Sequence, residues 1–158
     1  MINRADKLIL ILLFFFIGCS SQKEYVPQSI FGLSLVQKLE GESAASFVDR
    51  LHYNEVVAEK NEIGFYKADH GEAIIYVSYY KNVKDAELNL KLMVEKISPE
   101  NSVFTGGESF EMNDTKIYRY LGMGQTHFVF ANKKALLWLS AEINWGEKFL
   151  NEYLSFLN

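Results

Sequence analysis

The sequence predicts an α+β fold in which a single antiparallel β-sheet has helices packed on one face. Three helical and six strand patterns follow one another in the order αββα and then ββββα. Consecutive strands are separated by short turns that contain Gly, Asn or Asp, and such turns join antiparallel neighbours. Because a sheet buries its apolar side against other elements, this order places the chain in the α+β class.

Each predicted helix begins at a residue that can cap it. The helices are predicted at residues 43–52, 82–97 and 144–157. Ser43 can cap the first helix through its hydroxyl group. Asn82 with Asp85, and Asn144 with Glu147, have the spacing of a polar cap followed three residues later by an acidic side chain. Capping therefore predicts all three helix starts.

Six segments have the alternation of apolar and polar residues that is typical of strands. They are Glu62–Lys67, Glu72–Tyr80, Glu108–Met112, Lys116–Leu121, Thr126–Ala131 and Lys134–Glu142. The turns that join them are predicted at Ala68–Gly71, Asn113–Asp114, Gly122–Gly124 and Asn132–Lys133. The segment Ile30–Leu39 is apolar enough to pack on the domain, but its pattern assigns it to neither helix nor strand.

Alternation sorts the strand residues into two sets, because successive side chains point to opposite faces of a sheet. One set is aliphatic, with Ile75, Val129 and Leu139 among its members, and is expected beneath the helices. The other, which we call the aromatic set, is proposed for binding. It consists of Tyr76, Tyr80, Tyr118, Tyr120, Phe128 and Trp138. Grouping residues from different strands in this way assumes a register between the strands.

Two interpretations of the aromatic set remain open. In the first, the segment Ile30–Leu39 or a second copy of the protein covers it, since Tyr and Trp are common on half-buried strands. In the second, it is a platform for a partner or an amphipathic ligand, because Tyr and Trp bury area while keeping a polar tip. The first predicts a covered face, and the second predicts an open concave pocket rimmed by Tyr and Trp.

The amino-terminal residues have the pattern of an export signal. A basic start that contains Arg4 and Lys7 is followed by the apolar run Leu8–Ile17. This run is too short to span a bilayer, which takes about 20 residues of helix, so it indicates a signal peptide over residues 1–18. The stretch Phe16-Ile17-Gly18-Cys19 resembles the lipobox of bacterial lipoproteins.

This resemblance implies cleavage before Cys19 and a lipid anchor on that residue. A diacylglyceryl group joins the sulfur atom, and in diderm bacteria a further acyl chain such as palmitate joins the new amino group. One acyl chain binds a membrane marginally, whereas two or more give a stable anchor. Ser20, in place of the Asp that retains lipoproteins in the inner membrane, favours an outer-membrane address if the organism has one.

These patterns divide the chain into three parts. We expect a signal peptide at residues 1–18, a flexible lipid-anchored tether at residues 19–29 and a single α+β domain at residues 30–158. The tether is predicted because its sequence is polar, lacks periodicity and contains Pro27.

Composition argues against several classes of function. Residues 1–18 carry a net charge of +1 and the whole chain −4, so residues 19–158 carry −5. Such a chain lacks the basic footprint of a nucleic-acid-binding protein. Cys19 is the only cysteine, and His52, His70 and His127 form no closely spaced pair that would chelate zinc. We therefore expect no nucleic-acid partner, no metal and no cofactor.

The first hypothesis is therefore a non-enzymatic envelope lipoprotein, an interaction or accessory module held at the membrane through Cys19. Its partner would be another protein or a second copy of the chain. The second hypothesis is a lipoprotein that binds a small amphipathic ligand on the aromatic set. The third is an envelope hydrolase that uses carboxylates or His127, although no G-x-S-x-G motif is present.

Overall fold

The computed structural model of the protein describes residues 24–52, 58–97 and 103–158. The strands in these residues are β1 (Ser29–Ile30), β2 (Leu33–Glu40), β3 (Lys60–Ala68), β4 (Gly71–Tyr79), β5 (Thr105–Met112), β6 (Thr115–Gly122), β7 (Gln125–Asn132) and β8 (Ala135–Glu142). The helices are α1 (Gly41–His52), α2 (Val83–Lys96) and α3 (Gly146–Leu157). The strands form one antiparallel sheet in the order β1-β2-β3-β4-β8-β7-β6-β5. The predicted α+β fold with a single antiparallel sheet is confirmed.

Four hairpins build most of the sheet. In each hairpin the turn has two residues, and the residues on either side of the turn pair with each other. These pairs are Ala68 with Gly71, Met112 with Thr115, Gly122 with Gln125, and Asn132 with Ala135. The backbone at Asn113, Asp114, Met123, Gly124 and Lys133 has positive φ, as tight hairpin turns require. The central contact between the halves of the sheet is the antiparallel pair of β4 and β8.

Helices α1 and α2 pack on one face of the sheet, which we call the α1/α2 face. Ala44 and Val48 of α1 are buried against Ile63 of β3. Ala86 of α2 is buried with Leu136 of β8. The Asn82 side chain accepts a hydrogen bond from the Asp85 backbone N–H at 2.9 Å, which confirms the predicted cap of α2. Helix α1 begins at Gly41, two residues before the predicted cap Ser43.

Helix α3 packs on the opposite face, which we call the α3 face. Phe149, Leu150 and Tyr153 are buried there against Leu137 and Leu139 of β8. Each fully buried side chain of this size contributes about 1.5–3 kcal/mol relative to exposure. The helix follows Trp145, which makes no side-chain cap hydrogen bond, so the predicted cap at Asn144 is wrong.

Close packing explains where α3 begins. A Cβ added at Gly146 would stand 3.1 Å from the Thr126 Cβ atom, nearer than ordinary van der Waals contact. The first helical residue is therefore pressed directly onto β7. The position of the helix start is determined by this contact with the sheet and not by a polar cap.

The segment from Tyr25 to Leu33 crosses the α3 face, and we call it the amino-terminal strap. Tyr25, Val26, Ile30 and Leu33 are buried in the same core as α3. The Tyr153 hydroxyl donates a hydrogen bond to the Tyr25 carbonyl at 2.6 Å. The strap ends in the small hairpin of β1 and β2.

The strap corrects the predicted limit of the flexible tether. The sequence pattern predicts a tether at residues 25–29 because of their polar neighbours and Pro27, yet Tyr25 and Val26 are buried on the α3 face. The Tyr66 hydroxyl donates a hydrogen bond to the Pro27 carbonyl at 2.8 Å, so the proline belongs to the packed core. Two buried apolar side chains and satisfied carbonyl groups hold the segment in place, which a polar composition alone does not reveal. Ile30–Leu39, left unassigned from its pattern, contributes to β1 and β2.

Candidate functional site

Three residues of the aromatic set lie in one row across the α1/α2 face. Tyr76 of β4 pairs with Trp138 of β8, Trp138 pairs with Val129 of β7, and Val129 pairs with Tyr118 of β6. Tyr76, Trp138 and Tyr118 are each half-buried. The predicted aromatic character of this face is therefore real at its centre.

The helices cover much of this aromatic row. The ring of Phe47 in α1 lies 6.1 Å from the ring of Tyr76. Tyr80 and Tyr120 are buried in the cluster that α2 forms with the sheet. Burial raises the pKa of Tyr76 and of Tyr80 to about 12, because a phenolate loses hydration there. The face is therefore covered and is not an open pocket rimmed by Tyr and Trp. Helices α1 and α2 cover it in place of the expected segment Ile30–Leu39, whose Ile30 and Leu33 are buried on the α3 face.

Phe128 does not belong to the aromatic face, and its assignment was wrong. It pairs with Leu139 of β8, and it is 0% exposed within the core of the α3 face. Across a two-residue turn, every even-numbered residue pairs with an odd-numbered one. If the even positions of one strand point to a given face, the odd positions of the next strand therefore point to that face. The prediction placed the even positions of all these strands on one face. This is wrong for β7 only, because the two turns between β6 and β8 cancel and leave the even positions of β6 and β8 on the same face.

His127 replaces Phe128 on the α1/α2 face and forms a buried polar cluster there. Its Nε2 atom lies 3.0 Å from the Gly122 carbonyl oxygen and its Nδ1 atom lies 2.8 Å from the Ser140 Oγ atom. The Trp138 indole N–H donates to His127 Nδ1 and to Ser140 Oγ, each at 3.1 Å. Because a carbonyl only accepts, Nε2 carries the proton, and Nδ1 of the neutral ring accepts from Ser140 and Trp138.

Aromatic rings close this polar cluster. The Phe104 ring centroid lies 4.9 Å from that of His127 and 5.4 Å from that of Trp138. Phe104 also packs against Gly122, where an added Cβ would stand 2.5 Å from its ring. Glycine is therefore required at that position for the ring to reach the histidine.

The cluster brings together a hydroxyl and an imidazole, the components of a nucleophile and its base. His127 and Ser140 are each only 2% exposed, so a substrate has no path to either. Burial lowers the pKa of His127, and the weaker effect of its hydrogen bond to Gly122 opposes this. The arrangement therefore stabilises a neutral, fully hydrogen-bonded imidazole, which is a structural role.

Sequence reasoning missed this cluster for a specific reason. Alternation did place Trp138 and Ser140 on the same face, and it singled out His127 as a strand residue. Because the prediction ignored the exchange of odd and even positions at the β7–β8 turn, it placed His127 on the opposite face from both. A count of turn residues between β7 and β8 is the signal that would have joined them.

A concave region lies on the α3 face, between α3 and the β5–β6 hairpin. It is a shallow groove of about 320 Å³ lined by Glu108, Phe110, Met112, Arg119, Glu147 and Leu150. Arg119 forms ion pairs with Glu108 and Glu147 across it. Its single cation is thus neutralised from both sides, and the groove offers no unpaired guanidinium to a ligand.

Residues 24–52, 58–97 and 103–158 show neither metal-binding nor membrane-spanning features. Within them, no three His, Cys, Asp or Glu side chains converge as a metal would require. No helix in these ranges is long and apolar enough to cross a bilayer. Cys19, the predicted lipidation site, lies outside the described residues.

Comparison with known proteins adds little. The chain matches no protein family, and no curated protein is significantly similar to it. Among solved structures, a GTP binding regulator from Thermotoga maritima is similar with a TM-score of 0.49 and 14% sequence identity, over 77% of this chain and 74% of that chain.

Proposed function

We propose that the protein is a bacterial envelope lipoprotein, a non-enzymatic interaction or accessory module tethered to the membrane through Cys19. The observation that carries this proposal is the amino-terminal pattern, in which a basic start and a short apolar run precede Gly18 and the sole cysteine. The partner is another protein or a second copy of the chain. Because Ser20 follows the cysteine, the proposed location in a diderm organism is the outer membrane.

The packed chain begins close to the proposed anchor. Tyr25 is the first buried residue of the strap, six residues after Cys19. Six trans peptide steps reach at most about 20 Å. A lipid on Cys19 therefore keeps the domain within about one domain diameter of the bilayer, as suits a module that acts at a membrane surface.

The burial of Ser140 and His127, a hydroxyl and an imidazole in contact, supports the non-enzymatic part of the proposal. Ser140 and His127 are in hydrogen-bond contact, but both are buried beneath Phe104 and Trp138. All the hydrogen-bonding capacity of the imidazole is used within the fold. This is how a histidine is accommodated in a core, and a catalytic base would instead face a cleft.

The alternative, a small amphipathic ligand bound on the aromatic set, has weaker support. It requires an open face, whereas α1 and α2 cover parts of this one and Phe128 lies on the other face. The interaction module has no such requirement, since it can use any exterior surface.

The proposal is tested in a bacterial host that is fed a labelled fatty acid. The full chain should incorporate label and fractionate with membranes. Cys19→Ser should abolish the labelling and leave residues 1–18 attached, because the modified sulfur is the substrate of the processing step. Cleavage is read as the mass of the purified protein.

The matched control is Ser20→Ala, which changes a neighbouring hydroxyl and keeps the sulfur atom. It should be labelled and cut like the parent chain. A Cys19→Ser protein that still matures to the same size and stays lipid-labelled would show that the proposed anchor is wrong.

A further inference from the structure

One end of the sheet carries four lysines beside the point where the strap begins. The Tyr25 hydroxyl donates hydrogen bonds to the backbone carbonyl and the side-chain oxygen of Asn132, each at 3.0 Å. Asn132 is the last residue of β7, and Lys133 and Lys134 form the turn that follows. The strap therefore enters the domain next to this turn.

The same turn contacts the segment that leads into α2. The Tyr80 backbone N–H donates a hydrogen bond to the Lys134 carbonyl at 2.8 Å. Lys81 follows Tyr80, and Lys84 lies in the first turn of α2. We call the surface formed by Lys81, Lys84, Lys133 and Lys134 the lysine end.

The ammonium groups of the lysine end are exposed. Within the described parts of the chain, none of the four lies within ion-pairing distance of a carboxylate, although Lys38, Lys60, Lys67 and Lys91 each do. At the same end of the sheet Glu40 and Glu62 are ion-paired with Lys38 and Lys60, and the Asp85 carboxylate accepts a hydrogen bond from the Asn82 amide. The lysine end is therefore a group of four exposed lysines that have no ion-pair partner among the described residues, on a chain whose residues 19–158 as a whole carry −5.

An apolar side chain lies within this basic surface. Val83, between Lys81 and Lys84, is 46% exposed. Lysines that surround an exposed aliphatic group form a combination suited to a lipid interface, where headgroup phosphates meet the first methylenes of the acyl chains.

We propose that the lysine end docks on the anionic phospholipid headgroups of the membrane that holds the Cys19 anchor. This inference rests on the proposed function, because the lipid brings the surface within reach. Four lysines on an acidic domain bind such a membrane weakly from solution, but a tether of about 20 Å makes the contact intramolecular and raises its effective concentration. Docking therefore orients a domain that the anchor alone leaves free to rotate.

The test uses the mature lipidated protein, extracted from membranes and reconstituted on vesicles. One set of vesicles is pure phosphatidylcholine, and the other contains 30% phosphatidylglycerol. Exposed lysines are acetylated briefly, and the extent of reaction at each lysine is read by mass spectrometry. The four lysines of the lysine end should react at least about threefold more slowly on the anionic vesicles, and 0.5 M salt should remove the difference because it screens charges beyond a few ångströms.

Two internal controls come from the opposite end of the domain. Lys148 lies in the first turn of α3, and Lys67 lies near the β3–β4 turn. Both should react equally on the two kinds of vesicle. Equal protection of all lysines would mean general adsorption of an unoriented protein and would overturn the proposal, as would unchanged reactivity at the lysine end.

A variant tests whether the lysines act together. Lys133→Asn with Lys134→Gln removes two charges, and Asn is chosen because position 133 has a φ of 53°, which Asn tolerates. Protection of Lys81 and Lys84 should fall by at least half in this variant. Protection that persists in full would refute electrostatic docking.

The result also separates this inference from the proposal on which it rests. The mass of the amino-terminal peptide reports whether Cys19 carries lipid. An unmodified Cys19 overturns the lipoprotein proposal itself. A lipidated protein that floats with the vesicles but leaves its lysine end fully reactive overturns only the docking.

Discussion

His127 has an environment that favours one protonation state. Its ring is buried, its Nε2–H donates to the Gly122 carbonyl, and its Nδ1 accepts from Ser140 and Trp138. A second proton on Nδ1 would face the Trp138 N–H, a donor that cannot accept. Burial therefore lowers the pKa of His127 below the ordinary value of 6.5.

This depressed pKa predicts how stability depends on pH. In the unfolded chain the imidazole binds a proton near pH 6.5, whereas in the fold it stays neutral to lower pH. The unfolded state thus binds more protons in this window, so stability is complete above about pH 6.5 and falls as the pH drops toward the folded pKa. Urea midpoints measured from pH 7.5 to 5 should show this decline.

The decline should disappear when the group that titrates is removed. His127→Gln keeps a donor directed toward Gly122 and cannot gain a proton, so it should lower stability at every pH and flatten the slope between pH 7.5 and 5. The matched control is His70→Gln at an exposed turn, which should keep the parental slope. An unchanged slope in His127→Gln would assign the pH dependence to other groups.

At the scale of single elements, β7 decides which aromatic residues belong to the core. Phe128 and Leu139 form a cross-strand pair on the α3 face, and both are 0% exposed. Trp138 is half-buried on the other face, where it contacts Phe104 and His127. Adjacent residues of β8 therefore lie in different surroundings.

Truncation to alanine should follow this division. Leu139→Ala should cost roughly 2–5 kcal/mol of unfolding free energy and Phe128→Ala about 3–5 kcal/mol, because each leaves a cavity in a closed core. Trp138→Ala should cost well below either, since solvent already reaches part of its ring. Urea melts of the three variants measure this, and a Trp138→Ala cost equal to that of Leu139→Ala would show that Trp138 is packed as closely as the core of the α3 face.

Element types could be predicted from alternation and capping alone, but the face of each strand residue also requires the length of every turn. Alternation located the six predicted strands, and Asn82 marked the start of α2, because both signals are local. Whether Phe128 faces Leu139 or Trp138 depends on the number of residues in the turn at Lys133, which shifts a whole strand by one position. Strand β1 has only two residues, and β2 was missed because it pairs with β3 more than 20 residues further along the chain.

At the scale of the whole molecule, the candidate site was the hardest part to predict. The cluster around His127 joins β6, β7 and β8 with Phe104. The length of the β7–β8 turn connects His127 with Trp138 and Ser140, but no spacing connects Phe104 with them. The same holds for the strap, whose Tyr25 and Val26 become core residues only once α3 lies beside them. Local patterns describe elements, and these features arise from contacts between elements.

The strap should contribute to global stability through its buried hydrogen bonds. Tyr153→Phe removes the donor that satisfies the Tyr25 carbonyl at 2.6 Å, and an unsatisfied buried carbonyl costs about 1–3 kcal/mol. We expect the free energy of unfolding to fall by that amount and hydrogen exchange in residues 25–33 to accelerate. Tyr118→Phe, on the opposite face, should change stability by less than about 0.5 kcal/mol. Equal losses in the two variants would contradict a specific role for the strap.

The strap also has a consequence for the order of events during biosynthesis. Its hydrogen bond with α3 connects residues 128 positions apart, so the first and last packed segments of the chain complete one core together. Long-range closures of this kind are slow, because the loop between the contacts must be ordered first. The α3 face therefore cannot close until α3 has left the ribosome.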